Sequence, residues 1–203
     1  MVTRTEAERD ADRVTDAELV RASWDAPDRF GALYDRHVNA LFGYACLRVG
    51  ATAAEDVVAD TFLAAFAQRR RYDLGRGSAR AWLFGILSKK ISDRGRGERV
   101  HYRALARIGE GRPSDELDQR IADQVSAQAM RGHLADALGR LGKADRHVLL
   151  LVAWGELSYD EVAQALGIPV GTVASRLNRA RRKVRQTLAE LESGNTRTGD
   201  RHG

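Results

Sequence analysis

Apolar residues spaced three and four apart, in run after run, restrict this chain more than any other feature. Phe30, Leu33, Tyr34, Val38, Leu41, Phe42 and Ala45 keep that spacing until Gly50. Val58, Phe62, Ala65 and Phe66 repeat it, as do Trp82, Leu83, Ile86, Leu87 and Ile91. No two alternating runs flank a tight turn, and the β-branched residues fall inside the helical pattern, so nothing predicts a strand. Helix start signals agree. Thr15 to Glu18, Thr52 to Glu55 and Ser158 to Glu161 each set a hydroxyl three residues before a glutamate, the spacing of a capping box. Pro27 suits the first turn of a helix, where its missing N–H costs nothing. The expected fold class is all-α, with two small helical domains joined by a flexible linker.

That division follows from one wide gap. From about Arg99 to Ala127 the periodicity weakens; Gly109, Gly111 and Pro113 break it, and Asp115, Glu116, Asp118 and Asp123 make it acidic. Helical spacing returns with Leu134, Leu138 and Leu141 and continues through Val148, Leu149, Leu151 and Val152. The expected boundaries are a disordered tail over 1–13, a helical domain over 14–98 and a linker over 99–130 with room for a short helix near its end. A second helical domain over 131–191 and a polar, disordered tail over 192–203 complete the chain.

The segment YDEVAQALGIPVGTVASRLNRARRKVR, residues 159–185, carries the clearest chemistry. Val162 and Leu166 lie one turn apart, Gly167 is placed to end their helix, and Pro169 suits the first turn of the next. In that second helix Val170, Val173, Leu177, Ala180 and Val184 form an apolar stripe, expected to face the first. The other side carries Thr172, Ala174, Ser175, Asn178, Arg179 and Arg182, flanked by Arg176, Arg181 and Arg185. A short glycine-containing turn between two such helices matches a helix-turn-helix. Its second helix fits the major groove, where arginine and asparagine can each make two hydrogen bonds to one base edge. An amphipathic hairpin with a solvated basic face would show the same apolar spacing. The compact turn and the concentration of arginine on one helix favour DNA.

The remaining chemistry excludes more than it offers. No apolar run approaches the ~20 residues of a membrane span, and the charged N-terminus has no apolar core of a secretory signal. Cys46 is the only cysteine, so a disulfide framework and a multi-cysteine metal site are excluded within one chain, and a reducing cytoplasm is the expected setting. The five histidines are scattered without metal-ligand spacing, and His37, on the apolar side of its helix, reads as a packed core residue. DLGRGSARAW has glycines but neither the spacing of a phosphate loop nor a preceding strand. Cys46 lies in an apolar helix with no activating base, as a buried structural thiol would. No catalytic residue, metal or cofactor is expected. The formal charge of +5, much of it in two arginine-rich patches, favours a polyanionic partner.

With its upstream helices, the hairpin makes the chain resemble the sigma-70 family, in particular the small two-domain extracytoplasmic-function group. LSYDEVAQALGIPVGTVASRLNRARRKVR resembles that family's region four. FGALYDRHVNALFGYACLRVG, AEDVVADTFLAAF and GSARAWLFGIL resemble successive parts of region two. The resemblance covers roughly residues 14–191 and implies a non-enzymatic factor that directs core RNA polymerase to two-part promoters. Its implied partners are the polymerase clamp and flap regions, promoter DNA and, as for many relatives, an anti-sigma protein.

The resemblance also implies residue roles. Asp56 and Asp60, on the helix matching the clamp contact, become core polymerase contacts, although a merely solvated acidic face would look the same. Ala59 stands where many members carry glutamine. Tyr72, Arg76, Arg80, Phe84, Ser88 and Lys89 match the part that opens the −10 element, where single strands want positive charge and base pockets. Lys89 replaces a common asparagine and Ser88 a common basic residue. Trp82, nearby, fits a core position better than a stacking one. Thr172, Ala174, Ser175, Asn178 and Arg179 become the −35 base-facing set, and Arg176, Arg181 and Arg182 the phosphate contacts. Asp115, Glu116 and Asp118 would mimic nucleic acid in a polymerase channel or simply solvate a tether. The alternative is an autonomous helix-turn-helix regulator whose N-terminal helices bind a signal or dimerise.

Overall fold

The computed structural model describes residues 14–76, 78–94, 101, 102, 104, 105 and 119–199. Among them every regular element is helical. The α-helices are α1 (Asp16–Ala22), α2 (Phe30–Val49), α3 (Ala51–Gln68), α4 (Arg80–Asp93), α5 (Gln119–Arg140), α6 (Lys143–Ala153), α7 (Tyr159–Leu166) and α8 (Val170–Gly199). Short 3-10 turns cover Pro27–Arg29 and Arg69–Arg71. The chain divides into two compact units, Met1–Asp93 with Asp160–Gly167, and Arg94–Tyr159 with Ile168–Gly203. This departs from the sequence boundaries, which keep residues 160–167 in the second domain. At Gly85 a Cβ would stand 2.7 Å from the Ala165 carbonyl oxygen, so only glycine admits that backbone.

In the first unit α2 pairs with α3, and α4 packs on both. Leu33, Leu41 and Tyr44 of α2, Val57 and Ala65 of α3, and Leu83, Phe84 and Leu87 of α4 are fully buried. Each buried leucine contributes about 2 kcal/mol. Phe84 meets Tyr44 edge-on with ring centroids 5.3 Å apart. Gly50, at φ +84°, ends α2 in a conformation that favours glycine. Its carbonyl accepts from the Ala54 N–H at 3.0 Å, so α3 starts at Ala51 and Thr52 falls inside its first turn. The capping box expected from Thr52 to Glu55 therefore does not form. The one at Thr15 does: Glu18 N–H donates to Thr15 Oγ1 at 3.2 Å and Thr15 N–H to Glu18 Oε2 at 2.7 Å.

A buried carboxylate fastens α1 to this core. Asp16, 4% exposed, accepts from Arg36 Nη1 (2.5 Å) and the Ala79 N–H (2.8 Å), and lies 2.7 Å from His37 Nε2. Burial pushes the Asp16 carboxyl up, but the hydrogen bonds of His37 and Ala79, with the nearby positive groups, outweigh it and hold the group below its ordinary value. His37 is buried, as its place on the apolar face predicts, with this acid as its partner.

In the second unit α8 lies against α6 and α5. Val173, Leu177 and Ala180 are fully buried, Val184 is half-buried and Val170 is exposed. The sequence assigns this stripe to the preceding helix. The structure assigns it mainly to α6 and α5, with Val148 and Leu151 of α6, Leu138 of α5 and Leu141 just after α5 buried in the same core. Arg146 of α6, 4% exposed, donates from Nη1 to the Leu138 (3.2 Å) and Leu141 (3.1 Å) carbonyls, supplying a cation where the end of α5 leaves acceptors unpaired.

Two boundaries move. Helix α5 begins at Gln119, inside the expected linker, and Asp123 lies on it; Asp115, Glu116 and Asp118 lie outside the described residues, as does the tail over 1–13. Helix α8 runs to Gly199, through most of the segment expected to be disordered. Extending an existing helix adds one hydrogen bond per residue fixed, so polar composition alone does not stop it.

Candidate nucleic-acid interface

Burial of Val173, Leu177 and Ala180 dictates which side of α8 is left for a ligand. Ser175, Asn178, Arg179, Arg181, Arg182 and Arg185 are exposed, and Thr172, Ala174 and Arg176 are half-buried. All eight residues expected to meet the −35 element thus lie off the fully buried stripe. Ser175 Oγ donates back to the Thr172 carbonyl at 3.1 Å, which sets its rotamer. Arg179 is held from the side: Nε donates to Asp145 Oδ2 at 2.7 Å and Nη2 to Oδ1 at 2.5 Å. The hydrogen bond from Arg179 is the chief cause that holds the Asp145 carboxyl below its ordinary value, despite burial pushing it up. Asp145 was not singled out from sequence, because its partner lies 34 positions away and no local spacing signals it.

The residues expected to open the −10 element separate into two groups. Tyr72 (5% exposed), Phe84 (fully buried) and Ser88 (2% exposed) lie in the core of the unit and not on its surface. Tyr72 donates its hydroxyl to the Arg76 carbonyl at 2.7 Å, and burial foremost pushes its pKa up to about 12. Ser88 Oγ has no hydrogen-bond partner among the described residues. A sequence signal existed: positions 84, 87, 88 and 91 themselves follow three-four spacing and make the inner stripe of α4. Arg76 and Lys89 are exposed and Arg80 is half-buried. Arg76, Lys89 and Lys90 line a cleft of about 520 Å³ with Trp82, Gln68 and Ile86, beside Gln164 and Ala165. Trp82 is half-buried and packs on Tyr72 at 5.0 Å between centroids, so one part of the indole is core and another faces the cleft.

On α3 the two expected polymerase contacts share a face. Asp56 is exposed and Asp60 half-buried, and Leu63, one turn on, is 68% exposed, a large apolar side chain that the sequence reading passed over. An outward leucine inside an apolar run looks like core until neighbouring helices show which side they cover.

One of the two arginine patches serves packing. Arg69 donates to the Ser23 (3.2 Å) and Phe66 (2.8 Å) carbonyls and stacks 3.9 Å over the Phe66 ring, while Arg70 donates to the Trp24 carbonyl at 3.1 Å. Cys46 is half-buried, and burial pushes its thiol pKa up, with Glu55 adding to the effect. Among the described residues no group of three or more His, Cys, Asp or Glu side chains is placed to hold a metal ion, and no helix is long and apolar enough to cross a membrane.

Family models described as Sigma-70 region 2 and Sigma-70, region 4 match residues 33–100 and 131–184. The ECF RNA polymerase sigma factor SigL of Mycobacterium tuberculosis is 38% identical over 161 residues, 79% of this chain and 89% of its own. The RNA polymerase sigma factor CnrH of Cupriavidus metallidurans is 35% identical over 187 residues, 88% of this chain and 95% of its own. Among solved structures, CnrH in complex with the cytosolic domain of CnrY superposes with a TM-score of 0.63 at 29% identity, over 86% of this chain and 97% of that one. The sigma factor RpoE in complex with the anti-sigma factor NepR, from Bartonella quintana, shares the fold with a TM-score of 0.56 at 24% identity, over 80% and 98%.

Proposed function

The chain belongs to the sigma-70 family as an extracytoplasmic-function RNA polymerase sigma factor, and from that premise we propose that its two units divide promoter recognition between them. It directs core polymerase to promoters and supplies no catalytic group; the chemistry belongs to the polymerase. In our reading α8 reads the −35 element. The observation that carries this is its single polar and basic face, Ser175, Asn178 and Arg179 with Arg181 and Arg182, set against a fully buried stripe. The serine, asparagine and arginine suit base edges, and the outer arginines suit phosphates.

The first unit would hold the −10 element. Support comes from the cleft that Arg76, Lys89 and Lys90 line together with Trp82 and a single acid, Asp93, since an unstacked base wants an aromatic face with cations along the backbone. On α3, Asp56, Asp60 and Leu63 would meet the polymerase clamp, pairing acids with an apolar anchor. The factor would work where polymerase does, in the cytoplasm, and would take a protein partner of the anti-sigma kind, as the RpoE–NepR complex does. No observation favours the autonomous regulator.

Transcription in vitro with purified core polymerase tests the reading. Start-site-specific product should need both the chain and core polymerase, and the chain alone should bind the same promoter weakly. Promoter footprinting without polymerase, combined with no specific transcript in its presence, would overturn it.

A further inference from the structure

Arginine on an exposed helix face ordinarily samples many rotamers, and ordering it costs up to about 2 kcal/mol of side-chain entropy. Arg179 is different. Asp145 on α6 takes up the side-on edge of its guanidinium, Nε at 2.7 Å and Nη2 at 2.5 Å, in a bidentate pair. The carboxylate side chain is 7% exposed, anchored in the body of the unit, whereas the arginine side chain is 46% exposed. The acid therefore cannot follow the arginine outward. A guanidinium has five N–H donors in one plane, and this pairing uses two. What is left is its outer edge, Nη1 with the second hydrogen of Nη2, which meets no acceptor among the described residues.

We propose that Asp145 is a positioning residue for promoter recognition, locking Arg179 so that this outer edge presents two parallel donors to one guanine in the −35 element. Two parallel donors complement guanine O6 and N7 and no other base edge in the major groove. Fixing the fork beforehand removes an ordering cost at binding and narrows the angles at which a base can be met. The carboxylate also keeps the fork from turning to a neighbouring phosphate, which would bind any sequence. The inference rests on the reading of α8 as the −35 reader and adds a residue that never touches DNA.

The experiment uses the full chain in holoenzyme with core polymerase, transcribing promoters that carry every single-base change in the upstream element. R179A should lower the preference for guanine at one position by about tenfold to a hundredfold. D145A and D145N should each lose at least fivefold of that preference at the same position, and R179A/D145A should be no worse than R179A. Circular dichroism and thermal melting confirm that each variant is folded. D145N, near-isosteric with the parent, keeps the test open should D145A melt early. Equal loss on all promoters, or additive loss in the double variant, would overturn the positioning role and leave Asp145 as packing. No base preference lost in R179A would overturn the guanine contact. Both failures leave intact the start-site-specific transcript of the unmodified holoenzyme, which reports on the sigma-factor reading itself.

Discussion

Asp16 shows how much a single side chain can hold at long range. It reaches from α1 to α2 and to the backbone at the start of α4, positions 20 to 63 residues away. Asp16→Ala would strand the Ala79 N–H and His37, and should cost the first unit about 2 kcal/mol or more at neutral pH. The pH dependence follows from the depressed carboxyl. Its contribution is fully present above the unfolded-state value and is lost as pH falls through the lower folded-state value. Thermal melts of the parent and the variant should differ most near pH 7 and converge below about pH 4. A constant difference down to pH 3 would rule out the ion pair as the source. None of this was visible beforehand, because Asp16 reads locally as a first-turn acid of a capped helix.

At the scale of elements, two glycines on either side of α7 in the chain are required for different physical reasons. Gly155 follows α6, and a Cβ there would stand 2.7 Å from the Leu151 carbonyl oxygen and 3.1 Å from Leu157 Cδ1. Gly167 ends α7 at φ +64° with open space around it. Gly155→Ala should destabilise the second unit by about 1–3 kcal/mol through the clash. Gly167→Ala should cost about 1 kcal/mol, from left-handed backbone alone. Gly167→Asn should recover much of that, and no asparagine rescue is expected at Gly155; denaturant titration of the four proteins separates the two causes. Gly167 was legible in the sequence as a helix stop. The role of Gly155 depends on the return of the chain to Leu157, which no spacing reveals.

At the scale of the whole molecule, the proposed division of labour predicts two distinct failures. Asp60→Arg reverses charge on the α3 face beside Leu63 and should reduce core polymerase binding at least tenfold in a pull-down, removing transcription from every promoter. Asn178→Ala should leave polymerase binding unchanged and weaken only promoters that depend on the upstream element. Unchanged polymerase affinity in Asp60→Arg would take that face out of the interface.

The sequence by itself determined the all-α class, the helix starts at Asp16 and Tyr159, the stop at Gly50 and the polar face of α8. These are properties of periodicity and local backbone chemistry, which a chain carries at every point. Tertiary structure alone decided which helices cover which faces. It turned Tyr72, Phe84 and Ser88 inward while leaving Leu63 outward, and it set Asp145 beneath Arg179 and Asp16 beneath Ala79. The physical reason is that burial and buried ion pairs depend on groups brought together from distant positions, and apolar spacing marks a face without saying what will lie against it.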